Sequence, residues 1–377
     1  MKYRLLENTD YEASILGLSA ASLPVPGDSE ISDNQLVDLI QYCLEIGVNY
    51  IDLGYPYRPE KQKYLSGIIN QALKSIPRDN LIITVTIPSY AIKTAGDFDR
   101  FLNRQLEWLS IERADFCLLG MLNRDNWPAL MELQVLDWAE KARQDGRIGH
   151  LGFSYHDHFQ VLKKIITAYD KWIIGQFQYS YVDEEHDPGS SGIKYARDRG
   201  LNIVISEPLH RKRLSNNLPS EVLNIINSSP GNYSPAGWAL RWVWDHPEVA
   251  VVLGEIASMD NAEEHINTAN FVKPGSLSIK ELIAYGKIND YYQAKKIVPC
   301  PSCRACMPCP EGIDVPRIFE IYNDAEIYSN YQTAREIYAE ENHKIERCTE
   351  CGSCEKSCAK RLNIIDYLKE AQKALSQ

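Results

Sequence analysis

Eight short apolar runs, spaced along the chain by longer polar or amphipathic stretches, leave this sequence few folds to choose from. They are SILGL (14–18), NYIDL (49–53), LIITVTI (81–87), DFCLLG (115–120), GHLGFS (149–154), IIGQFQY (173–179), NIVISE (202–207) and VAVVLG (249–254). Helical patterns stand between them, among them QLVDLIQYCLEIG, DFDRFLNRQLEWLS, FQVLKKIITAYD and AGWALRWVWDHP. In the first of these, Leu36, Leu39, Ile40, Cys43 and Leu44 recur at helical spacing and form one apolar face. Near-continuous apolar strands belong to a parallel sheet buried on both sides, with the intervening helices as its covering crossovers. Eight such units over about 250 residues fit a closed (β/α)8 TIM barrel, an α/β fold. The competing open dinucleotide-binding sheet would carry GxGxxG after its first strand, and none follows here.

The cysteines divide the chain a second time. Cys43 and Cys117 stand alone, whereas the other eight fall between residues 300 and 358. The opening MKYRLLENTD has no apolar export core, so the expectation is a cytoplasmic chain whose thiols stay reduced and bind metal. The first group is Cys300, Cys303, Cys306 and Cys309; the second is Cys348, Cys351, Cys354 and Cys358. Two CxxCxxC tripods, each with one further Cys, suit cubane iron–sulfur clusters. A pair of four-thiolate zinc sites is the alternative, but zinc gains nothing from a third Cys two residues on.

The tail is similar to a bacterial two-[4Fe–4S] ferredoxin module. That resemblance implies two [4Fe–4S] clusters with exchanged fourth ligands: Cys300, Cys303, Cys306 and Cys358 for one, Cys348, Cys351, Cys354 and Cys309 for the other. It departs from the pattern in the spacing before Cys309 and in Ala359, where proline is common. The expected organisation is a barrel over 1–270, a helical connector over 271–299 and a ferredoxin-like α-helical domain over 300–377. PRIFEIYNDAEIYSNYQTAREIYAEENHK, between the cysteine groups, reads as helix, as does NIIDYLKEAQKAL after the second.

Lys and Arg number 40 against 51 Asp and Glu, a formal charge of −11, so nucleic acid and anionic membrane surfaces are not the expected partners. No run approaches the roughly 18 apolar residues of a spanning helix.

Barrel chemistry sits at the C-terminal ends of strands, and there NYIDLGYPY resembles the aldo/keto reductase signature: Asp52 ends a strand and Tyr57 follows five residues later. YRLLENTDYEASILGLS, Gly152-Phe153-Ser154, Gln176, Glu207-Pro208-Leu209 and Ala239-Leu240-Arg241-Trp242 are similar to that family in the same order. With the cysteine tail, nearly the whole chain resembles its ferredoxin-fused branch. The family reduces carbonyls with NADPH through a proton-donating Tyr, a Lys that lowers its pKa, an Asp that holds the Lys and a His that orients the carbonyl. The resemblance makes Asp52 and Tyr57 the catalytic candidates. Thr86 stands where the Lys is expected and Gly120 where the His is. A phenol titrates near ~10 unless a cation stabilises its anion, so Tyr57 without that Lys is a poor general acid near neutrality.

The same resemblance assigns Ser154 and Gln176 to the nicotinamide of NAD(P)H. Other cofactor features are eroded. VVLGEIASMDNAEEH lacks the basic residue that greets a 2′-phosphate, and His265 replaces the usual Asn. After the seventh strand, His210-Arg211-Lys212-Arg213 stands where the branch reads RGGK, so side chains replace two glycines that let a pyrophosphate approach the backbone. That basic run reads either as a solvated loop or as an anion site for a substrate carboxylate or phosphate. His210, Arg211, Arg213, His156 and Tyr179 are the substrate-binding candidates; His158, Tyr181 and Asp183 flank them.

The leading expectation is an iron–sulfur oxidoreductase whose clusters exchange electrons with a small organic substrate or redox cofactor at the barrel mouth, with a ferredoxin or other electron-transfer protein as partner. Two alternatives stand beside it: an NAD(P)H-dependent carbonyl reductase or dehydrogenase using substitute residues, and a non-catalytic electron-transfer or scaffold subunit.

Overall fold

The computed structural model describes residues 1–26, 31–55, 59–184 and 188–376. Tyr57 therefore lies outside the described residues. The chain divides into two compact units, one made of 1–217 and 226–281, the other of 218–225 and 282–377.

In the first unit a short antiparallel pair, β1 (Tyr3–Leu5) and β2 (Glu12–Ser14), precedes the barrel strands. These are β3 (Leu16–Ser19), β4 (Tyr50–Asp52), β5 (Ile82–Pro88), β6 (Ala114–Leu122), β7 (Ile148–Tyr155), β8 (Trp172–Gln178), β9 (Asn202–Ser206) and β10 (Val249–Gly254). All eight pair in parallel in chain order, and β10 pairs with both β9 and β3, so the barrel closes. Every residue of β4, β5 and β10 is buried, as strands walled by helices outside and side chains inside must be. The run SILGL is not one strand. Its Ser14 ends β2, and its hydroxyl donates to the Leu16 carbonyl at 2.6 Å where the chain turns into β3.

The antiparallel pair plugs the N-terminal end of the barrel. Glu7 N–H donates to Asn202 Oδ1 at 2.7 Å, Ser14 N–H to Asn49 Oδ1 at 2.7 Å and the Tyr11 hydroxyl to Asp115 Oδ1 at 2.9 Å, all at strand beginnings. Asp115 also accepts from Arg78 and from the Ile83 amide, each at 2.7 Å. With that end sealed, the C-terminal ends are left to hold a ligand.

Helices begin where the sequence offers caps. Ser32 and Gln35 form a reciprocal capping box, and Ser234 accepts from Gly237 N–H beside a Pro at the first helical turn. Among the described residues, no helix is long and apolar enough to cross a membrane.

In the second unit, the segment expected as one helix between the cysteine groups is two, Val315–Ile327 and Tyr331–Glu340. Ser329 takes a left-handed φ of 50° that ends the first, and the Asn330 side chain caps the second by accepting from Thr333 N–H. These helices and Ile364–Leu375 share a core built on Val315, Ile318, Phe319, Ala334, Leu368 and Leu375. Cys300, Cys306, Cys309, Cys348, Cys354 and Cys358 pack against that core from its edge.

Candidate functional site

Strand register brings the expected site residues to one end of the barrel. Asp52 is the last residue of β4, Thr86 lies two residues before the end of β5, Gly120 two before the end of β6, Ser154 one before the end of β7 and Gln176 two before the end of β8. Asp52 is 4% exposed and joined across the barrel to Gln176, whose Nε2 donates to Oδ2 at 2.7 Å. The Gly54 amide donates to Oδ1 at 3.0 Å. Both donors are neutral, and burial pushes the Asp52 carboxyl above its ordinary range against their pull. Gln176, expected at the nicotinamide, thus spends its amide on the carboxylate that the family's Lys would hold. The Ser154 hydroxyl accepts from the Met121 amide at 2.7 Å.

Thr86 and Gly120 interlock. A Cβ at residue 120 would lie 2.6 Å from Thr86 Cγ2 and 3.1 Å from the Ile87 carbonyl oxygen. The Thr86 backbone is fixed on both sides by Gln105, which accepts from Thr86 N–H at 3.3 Å and donates to Thr86 O at 3.0 Å. Among the described residues, the buried Thr86 hydroxyl has no hydrogen-bond partner. Thr86 and Gly120 are therefore one packing unit.

The basic loop after β9 is largely satisfied by local acids. His210 Nδ1 lies 3.1 Å from Asp183, and Arg211 Nε donates to Glu207 at 3.0 Å. Arg211 draws the Glu207 carboxyl down against its burial, with smaller help from His156 and His210. His210, Arg211 and Lys212 have φ of 50°, 54° and 65°. The last two keep the left-handed backbone of the glycines they replace. Tyr179 is 2% exposed, its hydroxyl 2.9 Å from Ser190 Oγ and 3.3 Å from His246 Nε2. His158 is the N-cap residue of the helix Phe159–Thr167.

Sequence reasoning missed Glu255. It follows the last residue of β10 and turns its carboxylate into the basic loop, where it accepts from Leu209 N–H at 2.9 Å and Lys212 N–H at 2.8 Å. The signal was visible in LGEIAS, an acid set between glycine and isoleucine at a strand end. An anion placed on these two amides would have to displace the Glu255 carboxylate, and Gln176 is already hydrogen-bonded to Asp52.

In the cysteine tail the structure brings four of the eight thiols together. Cys300, Cys303, Cys306 and Cys358 line one recess walled by Val315, Phe319, Leu362 and Ile364. Burial and the neighbouring thiols push the Cys306 thiol up to about 11. Cys354 and Cys348 stand close enough to influence each other, and Cys351 is exposed.

Residues 16–277 match the Aldo/keto reductase family, and residues 299–363 match the 4Fe-4S dicluster domain. The chain belongs to the aldo/keto reductase family. It is an oxidoreductase of that family with an iron–sulfur domain at its C-terminal end. Solved structures agree on the fold. An aldo-keto reductase from Bacillus halodurans is 21% identical with a TM-score of 0.63, over 76% of this chain and 96% of that one. A thermostable aldo-keto reductase in complex with the inhibitor epalrestat is 21% identical with a TM-score of 0.62, over 76% of this chain and 100% of that one. An aldo-keto reductase from Klebsiella pneumoniae, solved in complex with NADPH, is 18% identical with a TM-score of 0.61, over 77% and 95%. No curated protein matches the chain.

Proposed function

We propose that this aldo/keto reductase exchanges electrons through its cysteine tail with a small organic substrate at the barrel mouth, delivering them when the substrate is reduced and withdrawing them when it is oxidised. The observation that carries the reading is the state of Asp52, a buried carboxyl paired to Gln176 where the family's chemistry needs a cation. The interlocked Thr86 and Gly120 support it, since they leave no ammonium to acidify Tyr57 and no imidazole to orient a carbonyl.

In this reading Cys300, Cys303, Cys306 and Cys358 hold one [4Fe–4S] cluster, and Cys348, Cys351, Cys354 and Cys309 hold the second. Support for the first set is their shared apolar-walled recess. When bound, such clusters supply one-electron transfer at low potential. Reduction of a substrate by two electrons then takes two single-electron deliveries from a reduced ferredoxin-class protein and two protons. A carboxyl raised by burial, as Asp52 is, holds a proton at higher pH than an exposed one and can serve as a proton source for the reaction. His156, Tyr179, His210, Arg211 and Arg213 remain the substrate-binding candidates of this reading, and an anionic substrate would compete with Asp183 and Glu207 for His210 and Arg211.

The test is spectroscopic. Protein purified without oxygen should be brown and should bleach with dithionite or reduced ferredoxin, whereas NADPH should leave its spectrum unchanged. Iron-free protein that reduced aldehydes with NADPH at undiminished rate would overturn the proposal and restore the nicotinamide-dependent alternative.

A further inference from the structure

A carboxylate sits where this fold would seat a phosphate. We infer that the amide cradle in the loop after β9 is filled from within by Glu255, so that a nicotinamide dinucleotide can place its diphosphate there only when that side chain is discharged or withdrawn. Four observations combine. First, the two oxygens of Glu255 are shared between two amides, Leu209 N–H at 2.9 Å and Lys212 N–H at 2.8 Å. That is how a backbone concavity grips an anion. Second, the concavity rests on a left-handed turn over His210, Arg211 and Lys212. L side chains adopt that backbone at a cost, and an anion bound by its amides offsets it. Third, Glu255 is 8% exposed and belongs to the wall of the barrel end rather than to a solvated rim. Fourth, Glu207 lies near enough to repel Glu255, so an incoming diphosphate would meet two carboxylates in addition to losing its amides.

The groups around Glu255 set how the cradle responds to pH. Glu207 raises it, while His210 and the two amides lower it, and burial is the largest influence; the balance lifts Glu255 to about 7. Glu207 is itself held down by Arg211, with contributions from His156 and His210, and His210 faces Asp183. On the other side, His265 of the helix Met259–Phe271 reaches towards Gly254 and is pushed down to about 4 by burial, so it stays neutral. The cradle is then closed by a charged Glu255 at pH 8 and by a neutral, weakly held one at pH 6.

The inference concerns binding and stands apart from what reduces the clusters. NADPH is titrated calorimetrically, without oxygen, into the full-length cluster-loaded protein at pH 6 and pH 8. Binding should be about tenfold weaker at pH 8, because only the discharged form yields the cradle. Glu255→Gln should bind as tightly at pH 8 as at pH 6, and Glu255→Ala, which empties the cradle, at least as tightly. A pH slope of any other origin persists in the Gln variant. Iron content and the barrel's thermal midpoint verify that both variants are folded. The inference fails if both variants bind as weakly as the parent, if the parent at pH 8 already matches the Ala variant, or if the Gln variant keeps the full pH slope.

Discussion

Gly120→Ala is the smallest change that tests whether Thr86 and Gly120 form one packing unit. The added methyl would stand 2.6 Å from Thr86 Cγ2 and 3.1 Å from the Ile87 carbonyl, inside any normal contact distance. Thr86 has little freedom to yield. It is β-branched, 8% exposed and pinned through its backbone by Gln105. Overpacking of this kind costs about 1–3 kcal/mol. Thr86→Ser removes the opposing methyl and by itself costs about 0.8 kcal/mol of buried CH2. In the double variant the new Cβ enters the vacated space, so the two changes should couple favourably by on the order of 1–2 kcal/mol. The seven tryptophans of the chain, from Trp108 to Trp244, all belong to the barrel unit, so their fluorescence on heating reports that unit without the tail. A penalty of about 2 kcal/mol lowers its midpoint by roughly 4–8 °C. The double variant should melt about 2–8 °C above the sum of the two single losses, the equivalent of that coupling. A Gly120→Ala protein as stable as the parent, or strictly additive effects, would refute the interlock. If it holds, the family's His cannot return at residue 120 while Thr86 remains.

Two further outcomes follow from the buried carboxyl and the cysteine set. Because Glu255 is raised from an ordinary 4.5 to about 7, its burial weakens the fold progressively as pH rises from 4.5 to 7 and by a constant amount above, about 3 kcal/mol in full. The barrel midpoint of Glu255→Gln should accordingly fall less between pH 5 and 8 than that of the parent, and parallel curves would contradict the raised carboxyl. Cys358→Ala should lose about half of the bound iron together with one of two cluster signals in electron paramagnetic resonance; retention of all the iron would remove Cys358 from the ligand set.

The barrel was legible because its information is redundant. Eight apolar runs, most of them followed by a helical pattern, point to the same closed sheet, and the structure pairs the barrel strands in chain order. The iron–sulfur tail was legible because thiolate spacing is a chemical requirement rather than a propensity. The features that sequence does not disclose depend on single residues acting against type. Nothing in DAEIYSNYQ marks Ser329 as left-handed, since neither glycine nor asparagine occupies that position, and the helical pattern runs on without a break. The loop HRKR has the look of a charged surface because none of its residues is a glycine, yet its backbone keeps a glycine conformation. Glu255 escapes notice for a different reason. Its stretch stands out for the base it lacks, whereas the change that matters is an acid whose partners are amides 43 and 46 residues earlier in the chain.

These features converge on one electrostatic change. A hydride-transfer site of this family is organised around positive charge, with an ammonium beside the proton donor and bare amides at the phosphates. Here Thr86 stands where the resemblance expects the ammonium, which leaves Asp52 with only a carboxamide and one amide, and Glu255 takes the loop amides beside Glu207. Carboxyls raised in this way keep protons that exposed acids have already lost, so the barrel end holds two buried acids able to store protons. The proposed function builds on that store: electrons come through the metal-binding domain and the barrel supplies the protons.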